Sequence, residues 1–506
     1  MPTVHRSGLL AAFLLAAVFM AVNLATAERS PVVWTDEVMF ADPAVNASLG
    51  RGFTTTAWLQ PRETFFAGNA PLHSLVLIPW IEVFGVNATA VRSLNFALVL
   101  AVVAILVWTV KRLGLIRSNQ VAFLLAILIL CGDGVTYSYR SGRYDCLGML
   151  WVALMFASQT LTRPLGRVLM IGPLCALVPW TGFQLIPYVG LLGLLLLILK
   201  GRSAIPDVVA AAFGGLVGLL LLAFLFREQG VLQEFRTTLF YIRGAQRSLA
   251  GMAWDFLRAP WVESSSVFLL LALIVAAMAT RPIKQRTIVV IGLLVGVVVP
   301  CALGFTGKYV RYYAWMAYIP MAVAVASTID ASRSRTALSR TIFGLALIAA
   351  GVGFPARLAL TILEWQARDP GPVRRLVESH VGPADWVYAE FEAYYPAKRL
   401  AGELFLPPYL GIIAVPGRER VPAAMTLEER ARVNVLITKP DRRDLTLREF
   451  EGTWREVGHY AADPSSHSGL LARLHVGSKP YDLTVFRRVE GRKDSEITGD
   501  FGVLRR

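Results

Sequence analysis

Long apolar runs, repeated along most of the chain and separated by short basic clusters, constrain its fold more than any other feature. A bilayer core about 30 Å thick needs roughly 20 apolar residues of helix to cross it. The 506-residue chain is only 17% charged and has a mean hydropathy of +0.54, whereas soluble domains contain about 25% charged residues. The pattern therefore predicts a polytopic, mainly α-helical membrane protein.

Eleven segments are predicted to cross the membrane as a helical bundle. They are residues 8–26, 90–110, 121–135, 146–161, 167–180, 183–199, 205–226, 266–280, 287–305, 311–328 and 341–363. Another apolar segment, 72–84, is short for a span, which favours an interfacial helix. The first span resembles a signal peptide, but its apolar run is long for one, which favours an uncleaved anchor.

The basic residues indicate how the spans are oriented. If the N-terminus is cytoplasmic, one set of loops contains clusters of Lys and Arg, and the opposite set contains most of the carboxylates. This is the positive-inside distribution. It explains the net charge of +15 by topology and argues against nucleic acid as a partner. Together with the Ala-, Arg- and Val-rich composition, it predicts a multi-pass protein of a bacterial inner membrane.

The composition changes after residue 363. Residues 364–506 are polar and contain short apolar or alternating runs at 386–391, 433–438 and 483–489, with a helical stretch at 373–380. About 140 residues is an ordinary domain size. The chain is therefore predicted to contain a membrane domain, 1–363, and a soluble mixed α/β domain, 364–506. Eleven crossings from a cytoplasmic start place the second domain outside the cytoplasm.

The first of three polar outer loops, residues 27–70, contains a carboxylate pair close to the membrane surface. Asp36 and Glu37 follow the first span and precede a possible amphipathic helix at 40–49. Asp36 is a candidate general base for a reaction at a lipid head group. The alternative is that both carboxylates only stabilise the positive end of that helix. The sequence leaves these two interpretations open.

The second outer loop, residues 132–145, places Arg140, Arg143 and Asp145 at the mouth of the next span. Guanidinium groups bind phosphate in a bidentate manner. A structural Arg–Asp pair at the membrane surface would explain the same residues.

The third outer loop leads into the tenth span through Lys308, Arg311 and Tyr312. Two cations at the external boundary break the positive-inside trend. Such an exception is typical of a site that holds an anionic lipid head group.

In their order and common side, these motifs resemble the GT-C class of membrane glycosyltransferases. The nearest match is family 39 and its relatives, which include protein O-mannosyltransferases and the aminoarabinose transferases that modify lipid A. The Asp36-Glu37 pair before an Ala-containing helix is similar to the pair in their first outer loop, and Phe84-Gly85 followed by Arg92 matches a second motif. Their Lys-Pro-Pro-Leu stretch is similar to Asn69-Ala70-Pro71-Leu72, which lacks the Lys and the first Pro. The resemblance covers roughly the first 330 residues.

This resemblance implies transfer of a hexosyl or pentosyl group from a polyprenyl-phosphate donor to an extracytoplasmic glycan, lipid or protein, with inversion. Asp36 would be the base, with Glu37 and Asp145 as further catalytic residues. The donor phosphate would be bound by Arg140, Arg143, Lys308, Arg311, Tyr312 and Arg92. Participation of a divalent cation is left open, with Asp36, Glu63 and Asp145 as candidate ligands.

The main alternative is a transporter or flippase of a lipid-linked glycan. Transporters place ionisable residues or broken helices near the middle of the membrane. Several prolines interrupt the predicted spans here, but almost no charge lies within them, which favours the enzyme. A third interpretation is a receptor-like protein whose outer domain binds partners. The sequence contains no P-loop or nucleophile-elbow motif, which argues against a nucleotide-driven pump and a serine hydrolase.

Overall fold

The computed structural model describes residues 6–242, 248–279, 283–305, 309–332, 337–415, 418–420, 423–462 and 481–489. The helices in chain order are α1 (Arg6–Thr26), α2 (Thr35–Ser48), α3 (Pro71–Phe84), α4 (Ala88–Arg112), α5 (Asn119–Cys131), α6 (Asp133–Arg140), α7 (Asp145–Ser158), α8 (Pro164–Thr181), α9 (Leu185–Lys200), α10 (Ile205–Glu228), α11 (Leu232–Ile242), α12 (Leu249–Arg258), α13 (Ser264–Ala279), α14 (Ile283–Phe305), α15 (Trp315–Ala331), α16 (Ala337–Gly351), α17 (Phe354–Leu363), α18 (Gly371–His380), α19 (Tyr394–Leu400), α20 (Leu427–Arg432) and α21 (Arg443–Glu449). The strands are β1 (Trp386–Ala389), β2 (Glu403–Phe405), β3 (Ile412–Val415), β4 (Arg418–Arg420), β5 (Val435–Thr438), β6 (Trp454–Ala461) and β7 (Asp482–Arg488).

The predicted fold class is confirmed, because a bundle of apolar helices precedes a small mixed α/β domain. Within the described residues, five helices are long and apolar enough to cross a membrane, or up to seven if each of two bent pairs is one span. Shorter apolar helices, among them α3, α7 and α15, accompany them. The chain is thus a multi-pass membrane protein, and the count of eleven spans stays a prediction.

The helices α9 and α10 follow each other through a 3-10 turn at Gly201–Ala204. They fold back on each other, because a β-carbon built at Gly193 would lie 3.7 Å from Cγ2 of Val208. In one straight helix, two residues with the sequence separation of Gly193 and Val208 would be about 22 Å apart in space. The two helices therefore form an antiparallel pair, as expected for two successive spans.

Small residues bring α8 and α10 into direct contact. A β-carbon at Gly214 would overlap the carbonyl oxygen of Gly172, and one at Gly218 would overlap that of Ala176. Small residues four apart allow helix backbones to approach closely in a membrane. The matched order of the contacts shows that α8 and α10 run parallel, with α9 returning the chain between them.

The second predicted outer loop is largely a helix, which corrects the prediction of a loop at 132–145. The helix α5 ends at Cys131, and α6 continues at an angle of 58°. The break lies at Gly132, where a β-carbon would overlap the ring of Tyr318. Asp133 begins α6 and is buried. The polar residues that predicted a turn therefore belong to a buried helical segment.

The helix ends that were predicted to face one side of the membrane lie together. The start of α4, the α6–α7 junction, the start of α15 and the C-terminal domain all lie close to α2 or to the residues that contact it. At the opposite end, Asp330 of α15 accepts from the backbone N–H groups of Arg117 and Ser118 at 2.8 Å. The grouping of the ends agrees with the predicted topology; which end faces the cytoplasm stays a prediction.

The C-terminal domain is built on a five-stranded sheet with the order β2-β1-β5-β7-β6. Strand β1 is parallel to β2 and β5, whereas β7 is antiparallel to β5 and β6. The runs predicted at 386–391, 433–438 and 483–489 correspond to β1, β5 and β7. One face of the sheet packs into an apolar cluster that also contains Val38 and Val45 of α2. The C-terminal domain and α2 therefore share a core.

A carboxylate buried at the end of β1 makes the stability of this domain depend on pH. Burial raises the pKa of Glu390 from 4.5 to about 7, although Arg442 lies 3.4 Å away. The folded state therefore binds this proton more tightly than the unfolded state. The protonated Glu390 stabilises the folded state fully below about pH 4.5. As the pH rises through 7 this contribution is lost, which lowers the free energy of unfolding by about 3 kcal/mol.

We expect Glu390→Gln to remove this loss, so that the variant unfolds at a higher temperature than the wild type at pH 8.5. The difference in unfolding temperature between the two proteins should be smaller at pH 5.5. Thermal unfolding of the purified full-length protein at the two pH values measures the effect. Glu378→Gln, at an exposed carboxylate of α18 in the same domain, is the control. An unchanged pH dependence in Glu390→Gln would contradict the prediction.

Candidate active site

The segment predicted as the first outer loop contains α2, which begins at Thr35 rather than at residue 40. Asp36 and Glu37 therefore lie in its first turn, where negative charge favours the helix dipole. The N-cap residue Trp34 makes no side-chain capping hydrogen bond. This position is compatible with both interpretations of the carboxylate pair, and the surroundings of each residue distinguish their roles.

Arg143 joins two carboxylates that are far apart in sequence. One of its terminal nitrogens contacts Oδ2 of Asp36, and its Nε donates to Oδ2 of Asp145 at 2.8 Å. The side chain of Asp36 is 25% exposed, whereas those of Arg143 and Asp145 are buried. Because one guanidinium serves two carboxylates, this cluster, named the acidic cluster below, has a net negative charge.

Aromatic residues surround the remaining donors of Arg143. Its second terminal nitrogen donates to the hydroxyls of Tyr144 at 3.2 Å and Tyr313 at 3.3 Å. Its guanidinium carbon lies 3.6 Å from the ring centroid of Tyr312, a cation–π contact. All three nitrogens of Arg143 thus contact protein groups, and the geometry fixes the orientation of Asp36.

A second charged cluster contains two arginines around one buried carboxylate. Asp133 contacts Nε of Arg311 through one oxygen and Nε of Arg357 through the other, the latter at 2.7 Å. Asp133 is fully buried, while the side chains of Arg311 and Arg357 are 48% and 21% exposed. This group, named the basic cluster below, has a net positive charge and two partly exposed arginine side chains, although one terminal nitrogen of Arg357 is itself buried without a hydrogen-bond partner among the described residues.

An aromatic patch formed by Trp34, Tyr137 and Tyr312 lies between the two clusters. The ring centroids are 5.7 Å apart for Trp34–Tyr137 and 6.1 Å apart for both other pairs. Arg143 contacts the ring of Tyr312, and Arg357 lies 5.1 Å from the ring centroid of Tyr137. The two clusters therefore border one surface at the same end of the bundle.

Arg357 is a residue of this site that the sequence motifs do not indicate. It lies in the second turn of α17, inside the predicted span 341–363, and belongs to none of the motifs. The inference that almost no charge lies within the spans overlooked it. A charged residue inside an apolar segment is itself a signal of function or of a buried partner, and Asp133 is that partner.

Glu37 and Arg92 form a buried pair behind the exposed surface. Nε of Arg92 donates to Oε1 of Glu37 at 3.1 Å, and Tyr395 of α19 donates to the same oxygen at 3.0 Å. Neither side chain is exposed. Burial raises the pKa of Glu37, although Arg92 opposes this. The structure thus places both residues where they join α2 to α4 and to the C-terminal domain.

Arg140 is bound to the end of α1. It donates to Oδ1 of Asn23 at 2.6 Å and to the carbonyl oxygens of Thr26 and Ser30, both at 3.0 Å. The side chain is buried. Its hydrogen bonds support the turn that leads from α1 to α2, which is a structural position.

The candidate metal ligands do not come together. The side chain of Glu63 is 84% exposed and lies 3.7 Å from Arg62, whereas the guanidinium of Arg143 lies between Asp36 and Asp145. Among the described residues there is no group of three or more His, Cys, Asp or Glu side chains that could hold a metal ion. The residues present therefore do not fit a divalent cation at this point. Lys308 lies outside the described residues.

No family model and no curated protein matches the sequence. The structure is similar to that of ArnT from Cupriavidus metallidurans bound to undecaprenyl phosphate, with 13% identity and a TM-score of 0.45 over 94% of this chain and 98% of that chain. It is also similar to the arabinofuranosyltransferase AftD from Mycobacteria, with 12% identity and a TM-score of 0.47 over 94% of this chain and 40% of that chain.

AftD is an arabinofuranosyltransferase, and the ArnT structure contains undecaprenyl phosphate. A similarity at this level concerns the course of the chain and assigns no activity or residue role to this protein.

Proposed function

We propose that this protein is an integral-membrane glycosyltransferase that uses a polyprenyl-phosphate-linked sugar. The supporting observation is the pairing of the acidic cluster, which contains the partly exposed Asp36, with the basic cluster, which contains two partly exposed arginines. A general base and a phosphate-binding site must lie side by side in such a reaction. Here they border one aromatic surface at one end of the bundle.

The net charges of the two clusters indicate where the donor phosphate and the acceptor hydroxyl bind in this proposal. A phosphate is repelled by the acidic cluster and attracted by the basic cluster, where the side chains of Arg311 and Arg357 are partly exposed. Lys308, close to Arg311 in sequence, and Tyr312 are retained as further donor contacts. The acceptor hydroxyl then lies near Asp36. Glu37, Arg92 and Arg140 have structural roles in this proposal because their polar atoms are buried and bound.

The reaction is a single displacement at the anomeric carbon. Asp36 accepts the proton of the acceptor hydroxyl while the oxygen of that hydroxyl forms a bond to the anomeric carbon. The bond between the carbon and the phosphate oxygen breaks, and its electron pair leaves with the polyprenyl phosphate. The guanidinium groups of Arg311 and Arg357 stabilise the charge on the leaving phosphate. Attack opposite the leaving group inverts the anomeric configuration.

The proposed location is the outer face of the inner membrane. Nucleotide sugars are not available there, so a donor must arrive on a lipid, and the site must lie at the membrane surface. The acceptor class, whether glycan, lipid or protein, and the choice between a hexosyl and a pentosyl group belong to this proposal. Arg143 and Asp145 act in it by orienting Asp36.

Mass spectrometry of envelope glycans from cells with and without the protein tests the function. We expect one sugar to be absent without the protein and restored by the wild-type chain. In proteoliposomes, a radiolabelled polyprenyl-phosphate sugar tests the alternative of a transporter. Movement of this lipid across the bilayer without any sugar transfer would overturn the proposal in favour of a flippase.

A further inference from the structure

The helix that presents Asp36 cannot be rigid by itself. It has 14 residues, no side-chain cap at its N-terminus, and Pro43 in its interior. Proline removes one backbone hydrogen bond from a helix and strains the preceding turn, and isolated helices of this length are marginal in water. The position of α2, and therefore of Asp36, must come from contacts with other elements.

One of these contacts joins α2 to α19 in the C-terminal domain. Nζ of Lys398 lies 2.8 Å from Oδ1 of Asp42, and the hydroxyl of Tyr394 donates to the same oxygen at 2.7 Å. The other oxygen of Asp42 accepts from the hydroxyl of Thr55 at 2.7 Å. Burial would raise the pKa of Asp42, but Lys398 and the hydrogen bonds lower it below its ordinary value.

A second contact between α19 and α2 is made by Tyr395, the residue that follows Tyr394. Tyr395 donates its hydroxyl to Glu37, the residue that follows Asp36, at 3.0 Å. The carboxylates of α2 therefore have partners on different sides. Asp36 contacts Arg143 from the α6–α7 junction, Glu37 contacts α4 and α19, and Asp42 contacts α19.

We propose that α19 is a positioning element of the active site, in which Tyr395 and Lys398 hold α2 so that Asp36 stays in register with Arg143 and the bound donor. This inference depends on the proposed function, because it assigns Asp36 as the base. It concerns residues of the soluble domain that do not touch the reacting atoms. A small shift of a catalytic group reduces the rate far more than it reduces ground-state binding.

Two variants test the role of α19 in the full-length protein. Asp42→Asn combined with Lys398→Met removes both charges together, which avoids an uncompensated buried charge. Tyr395→Phe removes one hydroxyl and keeps the ring. We expect kcat to fall about 10- to 100-fold in the double variant and about 3- to 10-fold in Tyr395→Phe. The apparent KM for the donor should change less than about twofold, because the proposed phosphate site is the basic cluster and not the contact between α2 and α19.

The transfer probe is a radiolabelled polyprenyl-phosphate sugar fraction prepared from membranes of the producing cells, and the binding probe is undecaprenyl phosphate. Hydrogen exchange of the α2 amides, measured by mass spectrometry, should become faster in the double variant. Arg430→Met combined with Glu449→Gln is the matched control. It removes a partly buried ion pair of 3.1 Å between α20 and α21 of the same domain, and should leave kcat and α2 exchange unchanged.

The outcomes separate this inference from the proposed function. If Asp36→Asn is inactive while both α19 variants keep the wild-type kcat, α19 is not a positioning element and the function stands. If Asp36→Asn keeps its sugar-transfer activity, Asp36 is not the base and the positioning role fails with it, whereas the proposed function fails only if the wild-type protein transfers no sugar. A rise in KM with an unchanged kcat, or an equal loss in the control variant, would also overturn the positioning role.

Discussion

Asp36→Asn is expected to reduce sugar transfer about 10²- to 10⁴-fold, the range that a general base usually contributes. Asparagine has nearly the same shape but cannot accept the proton of the acceptor hydroxyl. The fold should persist, because Asp36 is 25% exposed and Arg143 keeps its contact with the buried Asp145. Transfer of radiolabelled sugar by the purified variant measures the effect, and binding of undecaprenyl phosphate should be retained.

Glu82→Gln is the control for this experiment. Glu82 is an exposed carboxylate of α3, and its loss should leave transfer unchanged. Asp36→Asn with more than about a tenth of the wild-type activity would show that Asp36 is not the base. The carboxylate would then be a helix-stabilising residue, the alternative that the sequence left open.

Replacement of either arginine of the basic cluster should weaken donor binding strongly. A hydrogen bond to a charged group contributes about 1.5–3 kcal/mol, so Arg357→Met and Arg311→Met should each raise the Kd for undecaprenyl phosphate about 10- to 100-fold. Single variants are preferred because the remaining arginine still pairs with Asp133. Loss of both would leave a buried charge without a partner and destabilise the fold by about 3–5 kcal/mol.

Arg375→Met, at an exposed arginine of α18, controls for a general loss of positive charge. Undecaprenyl phosphate binding by the purified proteins provides the comparison. An unchanged Kd in both Arg357→Met and Arg311→Met would remove the basic cluster from the donor site. The same rise in the Arg375→Met control would indicate a non-specific attraction.

Hydropathy and charge were sufficient to predict the apolar helices, the short α3 and the mixed α/β structure of the C-terminal part. The period and length of an apolar run report directly on local structure, so α4, α10, β5 and β7 lie close to the predicted residues. The motifs also predicted that Asp36, Arg143 and Arg311 lie at one end of the bundle. Contacts of Arg143 with Asp36 and Tyr312 bring them together.

Burial was the information that the sequence lacked. The sequence alone does not distinguish Arg92, Arg140 and Arg143. In the structure each of them has different partners that are distant in sequence. Arg140 binds the end of α1, and Arg92 binds Glu37 and the carbonyl oxygen of Pro31. Arg357 went unnoticed because its partner, Asp133, comes from another helix. Only tertiary contacts distinguish a buried arginine that supports the fold from one whose side chain remains partly exposed.

The apolar cluster that α2 shares with the sheet limits how this chain can be shortened or recombined. A chain ending at residue 363 would expose Val38 and Val45 to water and leave Asp42 with only its threonine partners. A C-terminal domain taken from a related chain would have to supply an ammonium group and tyrosine hydroxyls at matching places. The loop after the first span and the last third of the chain are therefore expected to change together in evolution.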